Sequence, residues 1–331
     1  MDDPPALPST DRIVALLEQN ARDDIVELLG RVETAPANDR KALLRSLRTV
    51  ADDRTSQFAP LLPALEPFLE DEERSVRLTT AKLVARVAKA RPGAAVPLVA
   101  SLSDRLGDDD EFYYVRARTA EALGYVALEH PETVATPELL ADLSVGLSFD
   151  EPEVREKLAK ALECVALGNP RRLRHQVPKL VDHLDDENDL VRYHLYTVLV
   201  AVGTGVPERL ADANDALVAG LTDETSHVRG RAAEALGLLA RADHEEVTVP
   251  EAALRAMQAD DDEDAFVVDR VRFALGAETP DDVGTTRGVR ETTDEATETV
   301  QTPDAAGDCP HCGLALPADG PPMCPRCGAP R

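Results

Sequence analysis

The chain has 331 residues, of which 62 are acidic and 36 basic, giving a formal net charge of −26. Such acidity argues against duplex DNA or an anionic membrane as the main partner, because phosphate binding needs a basic face. Aromatic residues make up only 3% and tryptophan is absent, so alanine, leucine and valine fill the apolar share, which suits closely packed helices better than sheets.

Lysine occurs only at Lys41, Lys82, Lys89, Lys157, Lys160 and Lys179, so arginine supplies the remaining 30 positives. Many carboxylates and few lysines suit a protein kept in solution in a very salty cytoplasm, where self-repulsion is screened within a few ångström. The expectation is therefore a halophilic, cytoplasmic protein. Met1-Asp2-Asp3-Pro4-Pro5 lacks the positive region and apolar core of a signal peptide. No stretch approaches the roughly 18 apolar residues of a membrane span, so no membrane association is expected. Residues 1–10 read as a disordered tail and residues 11–36 as an N-terminal helical cap.

From residue 37 onward the chain repeats itself. Val-Arg recurs as Val76-Arg77, Val115-Arg116, Val154-Arg155, Val191-Arg192 and Val228-Arg229, at spacings of 39, 39, 37 and 37. A weaker copy begins at Val267, where Val268 replaces the arginine, and a degenerate one runs from Asn38 to Val50. Five residues after each valine come Ala81, Ala120, Ala159, Tyr196 and Ala233; eight after come Val84, Leu123, Leu162, Leu199, Leu236 and Leu275. These offsets lie on one helical face, with small residues where two helices approach. An acidic turn precedes each copy, as in Asp108-Asp109-Asp110, Asp185-Asp186-Glu187 and Asp223-Glu224, and carboxylates there suit the helix N-terminus. A second apolar segment follows in each copy, for example Val177-Pro178-Lys179-Leu180-Val181, so each repeat reads as helix, short turn, helix.

These residues closely resemble HEAT repeats, particularly the short variety also found in the phycobilisome-lyase family. Val228 to Gly237, V-R-G-R-A-A-E-A-L-G, matches that unit almost fully. The resemblance implies an all-α, HEAT-type α-α superhelical solenoid of six to seven repeats over residues 11–276, with the second helices on the inner surface where a protein partner is held. It also implies a structural ladder between neighbouring repeats, built from Asp and from Arg77, Arg116, Arg155, Arg192 and Arg229.

Residues 277–308 are rich in Thr, Asp and Glu and poor in large apolar side chains, the composition of a flexible acidic linker. Beyond it stand Cys309-Pro-His-Cys312-Gly and Cys324-Pro-Arg-Cys327-Gly. Each C-P-x-C-G turn points two thiolates at one metal, and two such turns fill a closed tetrahedral site, so Cys309, Cys312, Cys324 and Cys327 are the expected ligands of a structural Zn²⁺. Residues 309–331 resemble the short zinc-ribbon family found at the ends of many prokaryotic proteins. Metal binding would supply the folding energy of so small a module, on the order of 10 kcal/mol.

No phosphate-binding loop, dinucleotide fingerprint or nucleophile elbow occurs. Cys164 reads as a buried apolar cysteine, and the single His244-Glu245 dipeptide falls short of the paired His-Glu pattern of HEAT-repeat hydroxylases. Arg171, Arg172, Arg174, His175 and Lys179 form the densest basic run, read either as local neutralisation of the acidic turns or as a docking patch for an acidic segment or phosphate. Tyr196, in place of the small alanine, either repacks the core or widens a seam that could hold a ligand. Phe112-Tyr113-Tyr114 reads as core and cap. The function expected is a non-enzymatic protein–protein interaction scaffold or adaptor. Its alternative is a nucleic-acid-associated protein contacting RNA or DNA through the ribbon and its Arg326 and Arg331, and least favoured is a bilin-lyase-like or hydroxylase-like enzyme.

Overall fold

In a computed structural model of the chain, residues 9–242 and 249–301 are described, and among them all regular structure is helical. Contacts divide the chain into two units, Met1–Asp150 with Lys157–Asn169, and Glu151–Glu156 with Pro170–Arg331. No helix among the described residues is long and apolar enough to cross a membrane.

The first unit opens with α1 (Thr10–Glu18) and α2 (Arg22–Glu33), which precede the first repeat helix α3 (Ala37–Phe58). Ser9 caps α1 by accepting from the Arg12 amide. The repeats then alternate a long first helix with a shorter second one: α4 (Glu66–Leu69) after α3, α5 (Arg74–Ala90) with α6 (Val99–Gly107), and α7 (Tyr113–Glu129) with α8 (Pro131–Val134) and α9 (Pro137–Gly146). Helix α10 (Pro152–Gly168) gives its part from Lys157 onward to this unit. Helix α5 packs between α3 and α7.

The second unit continues with α11 (Val177–Val181), α12 (Asp189–Gly205), α13 (Asn214–Gly220), α14 (Ser226–Ala240), α15 (Glu251–Gln258), α16 (Ala265–Ala274) and α17 (Thr286–Gln301). Here α14 packs between α12 and α16. Asn188 caps α12, accepting from the Leu190 and Val191 amides at 2.9 and 3.2 Å, and Asp264 caps α16 through the Phe266 amide at 2.7 Å.

The phase of the repeat is set by burial. Val76, Val115, Val154, Val191, Val228 and Val267 are all fully closed to solvent. The helices approach closely where glycine stands: a Cβ on Gly124 would fall 2.8 Å from Ala161 Cα, and one on Gly237 would fall 2.9 Å from Ala274 Cα. The second helices are less regular than the sequence suggests. Four of these segments begin as 3₁₀ turns, Ala59–Leu65, Pro92–Leu98, Pro170–Leu173 and Pro207–Ala213. Each has proline at the start, where a fixed φ and a missing amide favour a tight first turn over a full α-helix.

Residues 277–301 depart from the expectation of a flexible linker. Gly276, at φ +73°, ends α16 with the Ala277 amide bonded back to the Arg272 carbonyl. The chain then turns and forms α17, which packs on α12 with Val289, Thr293, Ala296 and Thr297 buried. The composition is misleading because these threonines behave as apolar residues. The hydroxyls of Thr293 and Thr297 each bond to the carbonyl four residues back, Val289 and Thr293, at 2.7 Å. Their polar groups are thereby satisfied within the helix.

The seat of α17 is a buried charged network. Arg231 donates to Glu234 Oε2 at 2.8 Å and to Thr292 Oγ1 at 2.8 Å, and Arg270 Nε reaches the same Glu234 oxygen at 3.1 Å. Glu234 Oε1 accepts the Gly284 amide at 2.8 Å, and the hydroxyls of Thr204 and Thr286 meet at 2.7 Å. Arg231, Glu234 and Arg270 are all buried.

Candidate functional site

The acidic turns have two jobs. Their carboxylates shape the turn itself: Asp71, Asp186 and Asp223 each accept, at 2.8 Å, the backbone amide two residues on, at Glu73, Asn188 and Thr225. Carboxylates of the acidic turns also receive the arginine of the preceding repeat. Arg155 Nε donates to Asp186 at 2.7 Å, Arg192 Nε to Asp223 at 2.8 Å, Arg77 Nε to Glu111 at 2.5 Å and Arg229 Nη2 to Glu263 at 2.6 Å. Each guanidinium of Arg77, Arg192 and Arg229 also donates backward to a carbonyl of its own turn, at Asp71, Asp186 and Asp223. One arginine thus fastens two successive turns, and the planar fork is suited to such bidentate contact.

The ladder differs from the expected one at two places. Arg116 lies over the Phe149 ring at 4.8 Å and stands 3.7 Å from Asp109 of its own turn. Arg40, absent from the sequence pattern, pairs with Asp71 at 2.6 Å. The sequence pattern missed it because the first copy is degenerate around Ala37, although its separation of 31 residues from Asp71 equals that of Arg155 from Asp186.

Between these turns the second unit carries a groove of about 810 Å³. Asp182, Asp185 and Glu187 of one turn and Asp223 and Glu224 of the next line it, together with Arg192 and Tyr196. Asp186 also faces it. Asp182, Asp185, Glu187 and Glu224 are exposed; Asp186 and Asp223 are engaged in the clamps, to which Glu187 and Glu224 add longer contacts, with Arg155 at 3.2 Å and Arg192 at 3.4 Å. Tyr196 makes the groove: its hydroxyl donates to the Ala216 carbonyl at 2.9 Å, and its ring fills the space of a side chain at Gly220, where a Cβ would meet the hydroxyl at 2.5 Å. Burial, reinforced by the charge of Asp223 against the opposing Arg192, pushes the Tyr196 hydroxyl up to about 12. It remains a neutral donor.

The basic run lies in the same unit. Arg171, Arg174, His175 and Lys179 are exposed and Arg172 is half-buried. Arg174 Nη1 donates to the Arg171 carbonyl at 2.6 Å, which turns that side chain back along its own segment. In the first unit Cys164 is buried. The Phe112, Tyr113 and Tyr114 rings are mutually packed at 4.5–5.3 Å between centroids, with Arg74 over Phe112 at 4.3 Å. Cys309, Cys312, Cys324 and Cys327 lie outside the described residues, as do Arg326, Arg331 and the His244-Glu245 dipeptide. Among the described residues no group of three or more His, Cys, Asp or Glu side chains is placed to hold a metal ion.

A stack of helix pairs fastened turn to turn by arginine–carboxylate clamps defines an α-helical repeat protein. The HEAT-repeat family profile matches residues 99–200 and 177–276, which together span more than half of the chain, and the chain belongs to that family. A search of curated proteins gave no match. Among solved structures, a designed armadillo repeat protein in complex with the peptide (KR)4 is similar at 19% identity and a TM-score of 0.56, over 68% of this chain and 99% of that one. An engineered protein is similar at 17% identity and a TM-score of 0.55, over 89% of this chain and 86% of that one. A computationally designed armadillo repeat protein for modular peptide recognition matches at 20% identity and a TM-score of 0.54, over 64% of this chain and 98% of that one.

Proposed function

We propose that this protein is a non-enzymatic interaction scaffold whose groove at Tyr196 holds an extended basic segment of a partner protein. The observation that carries this reading is the groove itself: six carboxylates and a single arginine line it, and four of those carboxylates are exposed. Lysine or arginine side chains entering it would meet charge-assisted acceptors from two successive turns. Similar designed armadillo proteins include one solved with a (KR)4 peptide, a ligand of the charge this groove would take. Under the same reading, Cys309, Cys312, Cys324 and Cys327 bind a structural Zn²⁺, and the resulting ribbon gives the scaffold a second contact. Linking two contacts raises the effective concentration of the second.

The test is a fluorescence anisotropy titration of a labelled lysine–arginine octapeptide against the full chain in concentrated salt, beside an Asp182→Asn/Asp185→Asn variant. Saturable binding weakened at least tenfold by the variant is expected. Equal binding by both proteins would mean diffuse attraction to an acidic surface, and the groove reading would be abandoned.

A further inference from the structure

Helices α3 and α5 depart from the acidity of the chain. Against a formal net charge of −26 they carry ten cations and three carboxylates, Asp39, Asp52 and Asp53, and α5 has no carboxylate at all. Three of the chain's six lysines stand on them. Helical spacing gathers these charges. Arg45, Arg48 and Asp52 recur at three and four residues along one face of α3, and Lys82, Arg86 and Lys89 at four and three along one face of α5. The two helices pack side by side, and two contacts fix their register: Arg86 pairs with Asp52, and Arg91 Nη2 donates to Ser56 Oγ at 2.7 Å. The basic stripes therefore lie next to each other. Arg45, Arg48, Arg86 and Lys89 are exposed and Lys82 is half-buried. Carboxylates of the neighbouring helices are engaged elsewhere, Glu18 of α1 with Arg54 and Glu121 of α7 with Arg118.

At their C-terminal ends the stripes lead to a groove of about 740 Å³. Pro60 and Pro63 line it from the segment after α3, and Pro92 and Pro97 from the segment after α5, while Ser56, Arg91 and Glu129 add polar groups. Proline presents ring carbons and no amide donor, so this end of the surface suits an apolar side chain. We propose that the α3–α5 face of the first unit docks an acidic segment of a partner protein, with its carboxylates over the arginines and lysines and an apolar side chain in the proline-lined groove. Charge complementarity selects this occupant. Arg45, Arg48, Lys82, Arg86, Lys89 and Arg91 stand against Asp52, the adjacent Asp53 and Glu129, and Asp52 is already paired. A protein segment is favoured over nucleic acid because neither helix exposes an aromatic ring on which a base could stack. The stripe on α3 also extends only about two turns before Asp52 and Asp53, so further phosphates of a strand would meet carboxylates. This inference rests on the scaffold reading but uses a different surface from the groove at Tyr196, so each can fail alone.

The probe is a fluorescein-labelled peptide of alternating glutamate and aspartate ending in two leucines, titrated against the full chain at the lowest salt in which it stays folded. Anisotropy reads the affinity and hydrogen exchange locates the contact. Saturable binding is expected, with slowed exchange over 45–56 and 82–97. Arg48→Glu/Lys89→Glu should weaken it at least tenfold, and Arg48→Ala/Lys89→Ala should weaken it less; the milder variant gives the reading if the reversal fails to fold. Serine in place of the two leucines should also weaken binding, at least threefold. Absence of binding, equal binding by the alanine variant, equal binding of the serine peptide, or protection confined to the second unit would overturn the proposal. So would tighter binding of an oligothymidylate at the same residues, because the occupant would then be a nucleic acid. A concentration-dependent dimer abolished by the alanine variant would overturn it as well, the occupant being a second copy of this chain. Failure of the octapeptide at Asp182 and Asp185 with this peptide still bound would remove the reading at Tyr196 alone.

Discussion

Arg231 and Glu234 lie one helical turn apart on α14, ion-paired at 2.8 Å with both side chains closed to solvent. Arg270 brings a second guanidinium to the same carboxylate while stacking 3.4 Å above the centroid of Phe266. Two cations on one buried anion leave the cluster net positive. Glu234 is therefore the residue on which the arrangement depends. Glu234→Gln would strand both guanidinium groups in a desolvated site and should cost about 3–5 kcal/mol. Arg231→Met, which leaves Glu234 paired with Arg270, should cost less. Urea unfolding in concentrated salt checks the order of the two variants.

Helix α17 offers a second prediction. Val289 is fully buried in its seat, so Val289→Asp would place an unpaired carboxylate against α12 and should undock the helix. Hydrogen exchange should then show loss of protection over 286–301, with α5 and α7 unchanged. Unaltered protection of α17 would mean that the seat contributes little to holding it.

The clamps are open to the same kind of test. Asp223 both fixes its turn through the Thr225 amide and receives Arg192 at 2.8 Å. Asp223→Ala removes both contacts and leaves Arg192 short of its anion, for an expected loss of about 3 kcal/mol. Glu224→Ala, which removes only an exposed partner at 3.4 Å, should change stability by less than about 1 kcal/mol.

Tyr196 predicts a response to alkali. Its hydroxyl titrates near 12 in the folded chain and near 10 when unfolded, so the folded state holds the proton more tightly. This contribution is fully present below pH 10 and is lost as pH rises from 10 to 12, amounting to about 3 kcal/mol at most. Tyr196→Phe should therefore flatten the fall in stability over that interval, measured by urea unfolding at pH 9, 10.5 and 11.5.

For the cysteines at 309, 312, 324 and 327, the expected outcome is one zinc per chain by atomic emission, absent in a Cys324→Ser/Cys327→Ser variant. The melting transition of the helical repeats should be the same in both proteins, because the cysteines lie beyond the last described helix.

Much of the fold could be read from the sequence because the repeat is a one-dimensional pattern. Val76, Val115, Val154, Val191 and Val228 mark one helical face, and a residue closed on that face must be small or apolar wherever it recurs. The acidic turns and the Val-Arg pairs were legible for the same reason: the side chain and its partner sit at nearly constant separations, 31 or 34 residues. Arg40 escaped because the first copy lacks the valine that would have set its register.

Tertiary structure alone decided the rest. Thr293 and Thr297 look hydrophilic in composition, yet bonding to their own helix turns them into methyl-bearing core residues. Arg231 and Glu234 look like an ordinary surface pair of charges three apart, and only the helix returning 58 residues later closes them from water. The groove depends on Tyr196 finding Gly220 opposite it, a pairing 24 positions apart that no periodicity announces. The sequence by itself determined the helical repeat, because burial of one face repeats at a fixed interval. Where a buried charge finds its partner depends on distances between elements far apart in the chain, and those exist only once the helices have packed.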